Sequence, residues 1–184
     1  MPKLKNFSIR PMQVADKERI LAWRNADRVR ANMYSDHLIS RVEHDIWFST
    51  AIDNPAARYL IFLHEERPIG FLSFTGISEQ HGRCYWAFYL GEVDVPLGAG
   101  SAMEYFALEY AFNELKIRKL CCEVFAFNSP VVKLHERFGF RREGMFVKHY
   151  KKNDNYEDVV CLAHFAEDWN VDRLKIRERY FSKD

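Results

Sequence analysis

Apolar and polar side chains alternate over residues 7–12 and stop at a proline-containing turn, which predicts a first strand. The period then lengthens. Ile20, Leu21 and Trp23 recur as on a helix that opens near Ala15-Asp16, carries Arg24 and breaks at Asn25-Ala26-Asp27. Ser40 predicts the N-cap of a second helix, with Glu43 three residues on as its capping-box partner. Ile46, Trp47 and Ile52 form the apolar face of that helix, and Asn54-Pro55 ends it. Two β-rich runs, 58–64 and 69–75, flank the turn Glu65-Glu66-Arg67-Pro68 and predict a hairpin. A third, aromatic run over 84–90 leads through 91–96 to Gly98-Ala99-Gly100.

Beyond those glycines, Ala102, Phe106, Ala107, Tyr110 and Ala111 recur at three- and four-residue spacing, the stripe of a buried helix. Residues 120–127 follow as a strand with few polar interruptions, and Ser129 starts a short helix that stops at Gly139. Two more strands, 140–150 and 158–165, flank the turn Lys152-Asn153-Asp154-Asn155. Leu174, Ile176 and Tyr180, set among Arg and Lys over 172–184, predict a peripheral helix with a solvated face. The order strand, glycine turn, long helix, strand over 90–120 is a βαβ unit with parallel strands and a right-handed crossover. Its turn brings unpaired N–H groups and the positive end of a helix dipole to one point, where glycines admit a phosphate.

Composition narrows the classes. The 184 residues are 48% hydrophobic and 29% charged, enough for one globular domain, and no apolar run reaches membrane-spanning length. Lys and Arg number 27 against 26 Asp and Glu, so the chain lacks the basic bias of a nucleic-acid binder. The N-terminus lacks the pattern of a secretory signal, and the expected location is cytoplasmic. Cys84, Cys121, Cys122 and Cys161 form no CxxC or Cys/His spacing, which argues against a metal and for core thiols in a reducing compartment. Cys121 and Cys122, as neighbours on a strand, point to opposite faces.

One further segment is specific. It runs Asn128-Ser129-Pro130-Val131-Val132-Lys133-Leu134-His135-Glu136-Arg137-Phe138-Gly139-Phe140 and continues to Arg142-Glu143-Gly144. With the glycine turn, the long helix and the buried strand before it, the segment resembles the GNAT superfamily of N-acetyltransferases over nearly the whole domain. The resemblance implies an α+β fold: a mostly antiparallel sheet, strands 4 and 5 parallel and splayed, with flanking helices. It would occupy residues 1–170, and 171–184 would be a helical extension. Acetyl-CoA is the implied cosubstrate, without metal. Leu90 would pair with the pantetheine amides; Gly98, Ala99, Gly100, Ser101 and Ala102 would seat the pyrophosphate; Asn128, Ser129 and Val132 would form the pantetheine channel. Two positions depart from the family pattern. Val95 stands where Gln or Arg is usual, and His135 stands where a Tyr usually protonates the departing thiolate, a role that imidazolium can also fill.

For the acceptor, Trp23-Arg24-Asn25, Met33-Tyr34-Ser35, His44, Gly70 and Tyr85-Trp86-Ala87-Phe88-Tyr89 are similar to the sugar-nucleotide N-acetyltransferases of pseudaminic acid biosynthesis, on which flagellin glycosylation depends. The resemblance implies acetyl transfer to the 4-amino group of a UDP-amino sugar. Met33, Tyr34, Tyr85 and Tyr89 would supply flat faces, Arg24 would meet the diphosphate, and His44 the amine or a hydroxyl. Two other readings stay open: a protein N-terminal acetyltransferase of the ribosomal-protein type, and a non-catalytic acetyl-CoA-binding module. The base for the amine proton is open among Glu92, Glu43, His44 and water, and a homodimer is neither required nor excluded.

Overall fold

A computed structural model describes residues 1–152 and 154–182. Seven strands form one sheet in the order β1-β2-β3-β4-β5-β7-β6: β1 (Phe7–Pro11), β2 (Arg58–His64), β3 (Arg67–Ser78), β4 (Arg83–Leu90), β5 (Lys119–Phe125), β6 (Arg141–Lys152) and β7 (Asn155–Phe165). All neighbouring pairs are antiparallel except β4 and β5, which are parallel. That pair is joined for only three rungs, from Arg83↔Lys119 to Tyr85↔Cys121. Beyond Tyr85 the two strands separate, so the sheet opens into a cleft between residues 86–90 and 122–125.

Strand pleating sorts the core into two layers. On β2, Leu60 and Phe62 face a large cluster with Leu72, Phe74, Trp86, Met103 and Trp169, while Ile61 and Leu63 face a smaller one with Ile20, Trp23 and Phe48. The large layer is covered by α4 (Ala99–Glu109), α5 (Ser129–Arg137) and α6 (Ala166–Tyr180), and the small layer by α1 (Lys17–Asn25) and α3 (Arg41–Ala51). A single turn, α2 (Asp27–Arg30), follows the expected break at Ala26. The opening of α1 is fixed by buried Asp16, which accepts two hydrogen bonds from Arg10, at 2.6 and 2.8 Å, and one from the Gln13 N–H.

Several expectations shift in detail. Ser40 Oγ caps α3 by accepting the Glu43 N–H at 3.2 Å, but the Glu43 carboxylate pairs with His37 at 2.8 Å instead of closing the box. The buried face of α3 is His44, Phe48 and Ala51; Ile46 is exposed, because it lies about 200° around the helix from Phe48. The tail does more than expected. The boundary drawn at residue 170 falls inside α6, whose Trp169 and Ile176, with Phe181 after it, belong to the main core, while Leu174 faces solvent. Lys3 and Ser182 then form a parallel bridge that ties the two ends of the chain together. Asn153 in the expected β6–β7 turn, and Lys183 and Asp184, lie outside the described residues. Among the described residues no helix is long and apolar enough to cross a membrane.

Candidate active site

The cleft between β4 and β5 opens into a cavity of about 410 Å³. Its walls include Trp86, Phe88 and Leu90 from β4, Cys122 and Glu123 from β5, Gly100 from α4, and Asn128, Val131, Leu134 and His135 around α5. A second cavity of about 340 Å³ lies on the α1/α3 side, against Arg24, Glu43, His44, Trp47, Tyr59, Phe71 and Tyr89. The two share Met33, Ala87, Phe88 and Tyr89. A donor in the cleft and an acceptor in the second cavity would therefore meet across the last residues of β4.

Backbone geometry at the end of β4 follows from its pairing. The Gly91 N–H bonds back to the Ile69 carbonyl at 2.8 Å, so alternation turns the Leu90 N–H and C=O toward the cleft. The Leu90 carbonyl already has a partner: Arg28 donates to it at 2.7 Å and also reaches the Gly91 carbonyl. A pantetheine amide using that oxygen would share it with Arg28 or displace it. Trp23 lies flat on Gly91, where an added Cβ would come within 2.0 Å of the indole, and its Nε1 donates to Glu92 at 2.9 Å. Glu92 is committed there and lines neither cavity.

Gly98 is the N-cap of α4 at φ +86°, a conformation that side-chain-bearing residues resist. Within the stretch 98–102, the Ala99 N–H is bonded to the Pro96 carbonyl at 3.1 Å and the Ala102 N–H to the Gly98 carbonyl at 2.9 Å. The first-turn donors left for an anion are those of Gly98, Gly100 and Ser101. Val95, at the position usually polar in the family, packs against the core.

On α5 the channel face is one step from the expected one. Asn128 is the N-cap residue but its side chain makes no capping bond, so the amide is left at the cavity wall. Val131 and Leu134 line the channel beside it; Val132 is buried in the core, and Ser129 is exposed and off the wall. His135, 1% exposed, lies in the deep wall with Nδ1 2.7 Å from Glu104 Oε1 on α4. Burial is the largest single influence and opposes a charge on the imidazole, but the Glu104 carboxylate and Cys122 together outweigh it and push the pKa up to about 10.

The acceptor candidates divide. Arg24 donates to the Ser35 carbonyl at 2.7 Å and to Ser35 Oγ at 2.9 Å, while its Nη1 is buried without a partner. Burial lowers the guanidinium pKa, the mark of a cation held out of water. His44 is buried with Nε2 2.8 Å from the Lys17 carbonyl, and Tyr89 stacks on Phe71 at 5.4 Å. These three and Met33 share the second cavity. Tyr34 stands on the larger one: its hydroxyl donates to Glu123 at 2.6 Å and its ring stacks on Tyr150 at 4.0 Å. Tyr85 is on neither. It sits at the last joined rung, roughly 13 Å along the strand from Tyr89 at 3.3 Å per residue, under the Arg83 guanidinium.

The loop carrying Met33 and Tyr34 is pinned by Lys152 of β6, a buried ammonium that donates to the Met33 carbonyl at 2.8 Å and to Asp36 at 3.2 Å, over the Phe125 ring. Lys152→Met should cost about 1–3 kcal/mol, because the Met33 carbonyl loses its donor. Thermal melting should show a Tm lower by about 2–9 °C for a chain of this size, and an unchanged Tm would show that the clamp holds nothing.

An open parallel pair beside a glycine-capped helix defines a fold built to seat a nucleotide-linked acyl donor. The family model described as an acetyltransferase (GNAT) domain matches residues 6–141, and the chain belongs to that family. As a member it is an acetyl-CoA-dependent N-acetyltransferase. Among its relatives, the uncharacterized N-acetyltransferase YokL of Bacillus subtilis is 25% identical over 149 residues, 79% of this chain and 82% of that protein. The acetyltransferase PseH of Campylobacter jejuni is 26% identical over 140 residues, 76% and 85% of the two chains. A spermidine N-acetyltransferase from Vibrio cholerae, solved with CoA and spermine, superposes with a TM-score of 0.85 at 20% identity, covering 90% of this chain and 99% of its own; that likeness concerns the fold.

Proposed function

We propose that the acceptor is a nucleotide-linked amino sugar, and specifically the 4-amino group of UDP-4-amino-4,6-dideoxy-N-acetyl-β-L-altrosamine in pseudaminic acid biosynthesis. The observation that carries this reading is the second cavity. Trp47, Tyr59, Phe71 and Tyr89 give it flat walls for the C–H faces of a sugar, and the half-buried Arg24 guanidinium that lines it offers a positive charge for a phosphate or ring substituent. A buried guanidinium disfavours a polyamine, since two cations would share a desolvated site. The relationship to PseH supports the same assignment.

On this reading Gly98, Gly100 and Ser101 hold the diphosphate of acetyl-CoA through their N–H groups, and Asn128, Val131 and Leu134 hold the pantetheine arm. Acetyl-CoA supplies a thioester carbonyl. N–H groups of β4 facing the cleft polarise it, the two joined cavities set the amine against it, and proximity supplies most of the acceleration. Glu43, on the acceptor wall with His37 beside it, takes the amine proton, and His135 gives a proton to the sulfur as the C–S bond breaks.

An acetyl-CoA consumption assay over four amines tests the reading: the UDP-4-amino sugar, spermidine, a free amino acid and a peptide with a free N-terminus. The sugar nucleotide should give a kcat/KM at least about tenfold above the others, a difference of about 1.4 kcal/mol in transition-state binding. A peptide or spermidine turned over faster would end the sugar assignment.

A further inference from the structure

Glu104 belongs to no part of the cavities, yet it is fully buried in the middle of α4, where a carboxylate is costly unless paired. Its Oε1 meets His135 Nδ1 at 2.7 Å and its Oε2 is buried without a partner. The surroundings of the His135 ring are otherwise nearly uncharged. Trp86 and Phe88 on β4 and Phe140 before β6 close on it at ring distances of 5.4, 5.7 and 5.0 Å, and Cys122 approaches from β5. Burial pushes the Cys122 thiol up. Glu104 is therefore the carboxylate that faces the imidazole from the elements packed around it.

We infer that Glu104 is a positioning residue for the transfer reaction: it fixes the His135 ring through Nδ1, keeps the imidazole charged, and thereby sets the upper pH limit of turnover. The inference rests on His135 acting as the acid. In the step itself, the C–S bond of the tetrahedral adduct breaks, its electron pair goes to sulfur, and sulfur takes a proton from His135. The imidazole left behind is neutral and still donates from Nδ1 to Glu104. The proton that Glu43 takes from the amine passes to water, and the imidazole regains one from water, so the cycle balances. Without the carboxylate, burial would weigh more heavily against the charged imidazole, the form that has a proton to give.

The test is kcat against pH, from about pH 6 to about pH 10, for the wild type and Glu104→Gln, an amide of nearly the same shape. Near pH 6 the variant should be within about threefold of wild type; near pH 9 it should be lower by about tenfold or more, with the alkaline limb moved down by about two units. A limb that stays in place, or a loss equal at every pH, overturns the inference, since a purely structural role would lower activity uniformly. A second measurement does not depend on the variant folding. The ¹⁵N shifts of the His135 ring in the wild type should report imidazolium above about pH 8, and titration at the ordinary histidine value of about 6.5 also overturns it. His135→Asn separates the two claims: wild-type kcat in that variant removes the acid role itself, whereas lost kcat with an unmoved Glu104→Gln limb removes only the part given to Glu104.

Discussion

His135→Asn should lower kcat at least about tenfold, within the usual span of general acid effects, while the KM for acetyl-CoA stays within about threefold. Asparagine is the informative replacement because its amide can still donate to Glu104 from nearly the position of Nδ1, but it carries no proton that titrates. His135→Phe should also lose activity, for a mixed reason. It would strand the Glu104 carboxylate in the core, and breaking a buried pair from one side costs about 3–5 kcal/mol. The comparison therefore separates chemistry from folding: both variants lose turnover, and the phenylalanine variant also melts earlier. Linkage gives a further sign. The folded-state pKa of His135 is raised to about 10 from 6.5, so the stability it contributes is complete below about pH 6.5 and is lost as the pH rises toward 10. His135→Asn should lack that decline in denaturant titrations at several pH values. A kcat indistinguishable from wild type would take His135 out of the mechanism.

What could be read beforehand was what lies close together in sequence. Gly98, Gly100 and the helix stripe after them, and Asn128 leading α5, are local signals whose meaning depends on a turn and the helix it opens, and their positions agree with the structure. The parallel β4–β5 pair was legible in the order strand, glycine turn, long helix, strand, and its splay came with the family resemblance, but the order of the seven strands was not read from the sequence. The second cavity was only half visible. Arg24, His44 and Tyr89 reach it, but Trp47, Tyr59 and Phe71 come from three elements that only the folded sheet brings together. Tyr85 lines neither cavity for a reason of distance: it shares a strand face with Tyr89, but alternation says nothing about how far along the strand the cleft begins. Ser129 and Val132 stand off the cavity wall for a reason of phase, since one residue turns a helix by about 100° and the wall runs through Val131 and Leu134. Glu104 left no signal at all: it sits 31 residues from His135, in a stripe otherwise apolar, and only packing of α4 on α5 makes the pair.

Arg24→Met is expected to raise the KM for the amino-sugar nucleotide about tenfold to a hundredfold, with little effect on the KM for acetyl-CoA. The magnitude follows from a charged hydrogen bond made in a buried site, about 1.5–3 kcal/mol, at about 1.4 kcal/mol per factor of ten. The direction follows from geometry. Arg24 lines the second cavity; its Nη2 is spent on Ser35 and holds the loop, and its Nη1 is buried without a partner, so the desolvated guanidinium gains when an anionic acceptor arrives beside it. Methionine keeps the length and apolar stem of the side chain and removes both functions, so a control is needed for the loop. Ser35→Ala supplies it by removing only the hydroxyl contact, and should change the acceptor KM by less than about threefold. If Arg24→Met and Ser35→Ala act alike, Arg24 serves the loop and the substrate anion lies elsewhere. If Arg24→Met instead improves turnover of spermidine, the cation has been excluding polyamines, and the second cavity owes its selectivity to a repulsion as much as to an attraction.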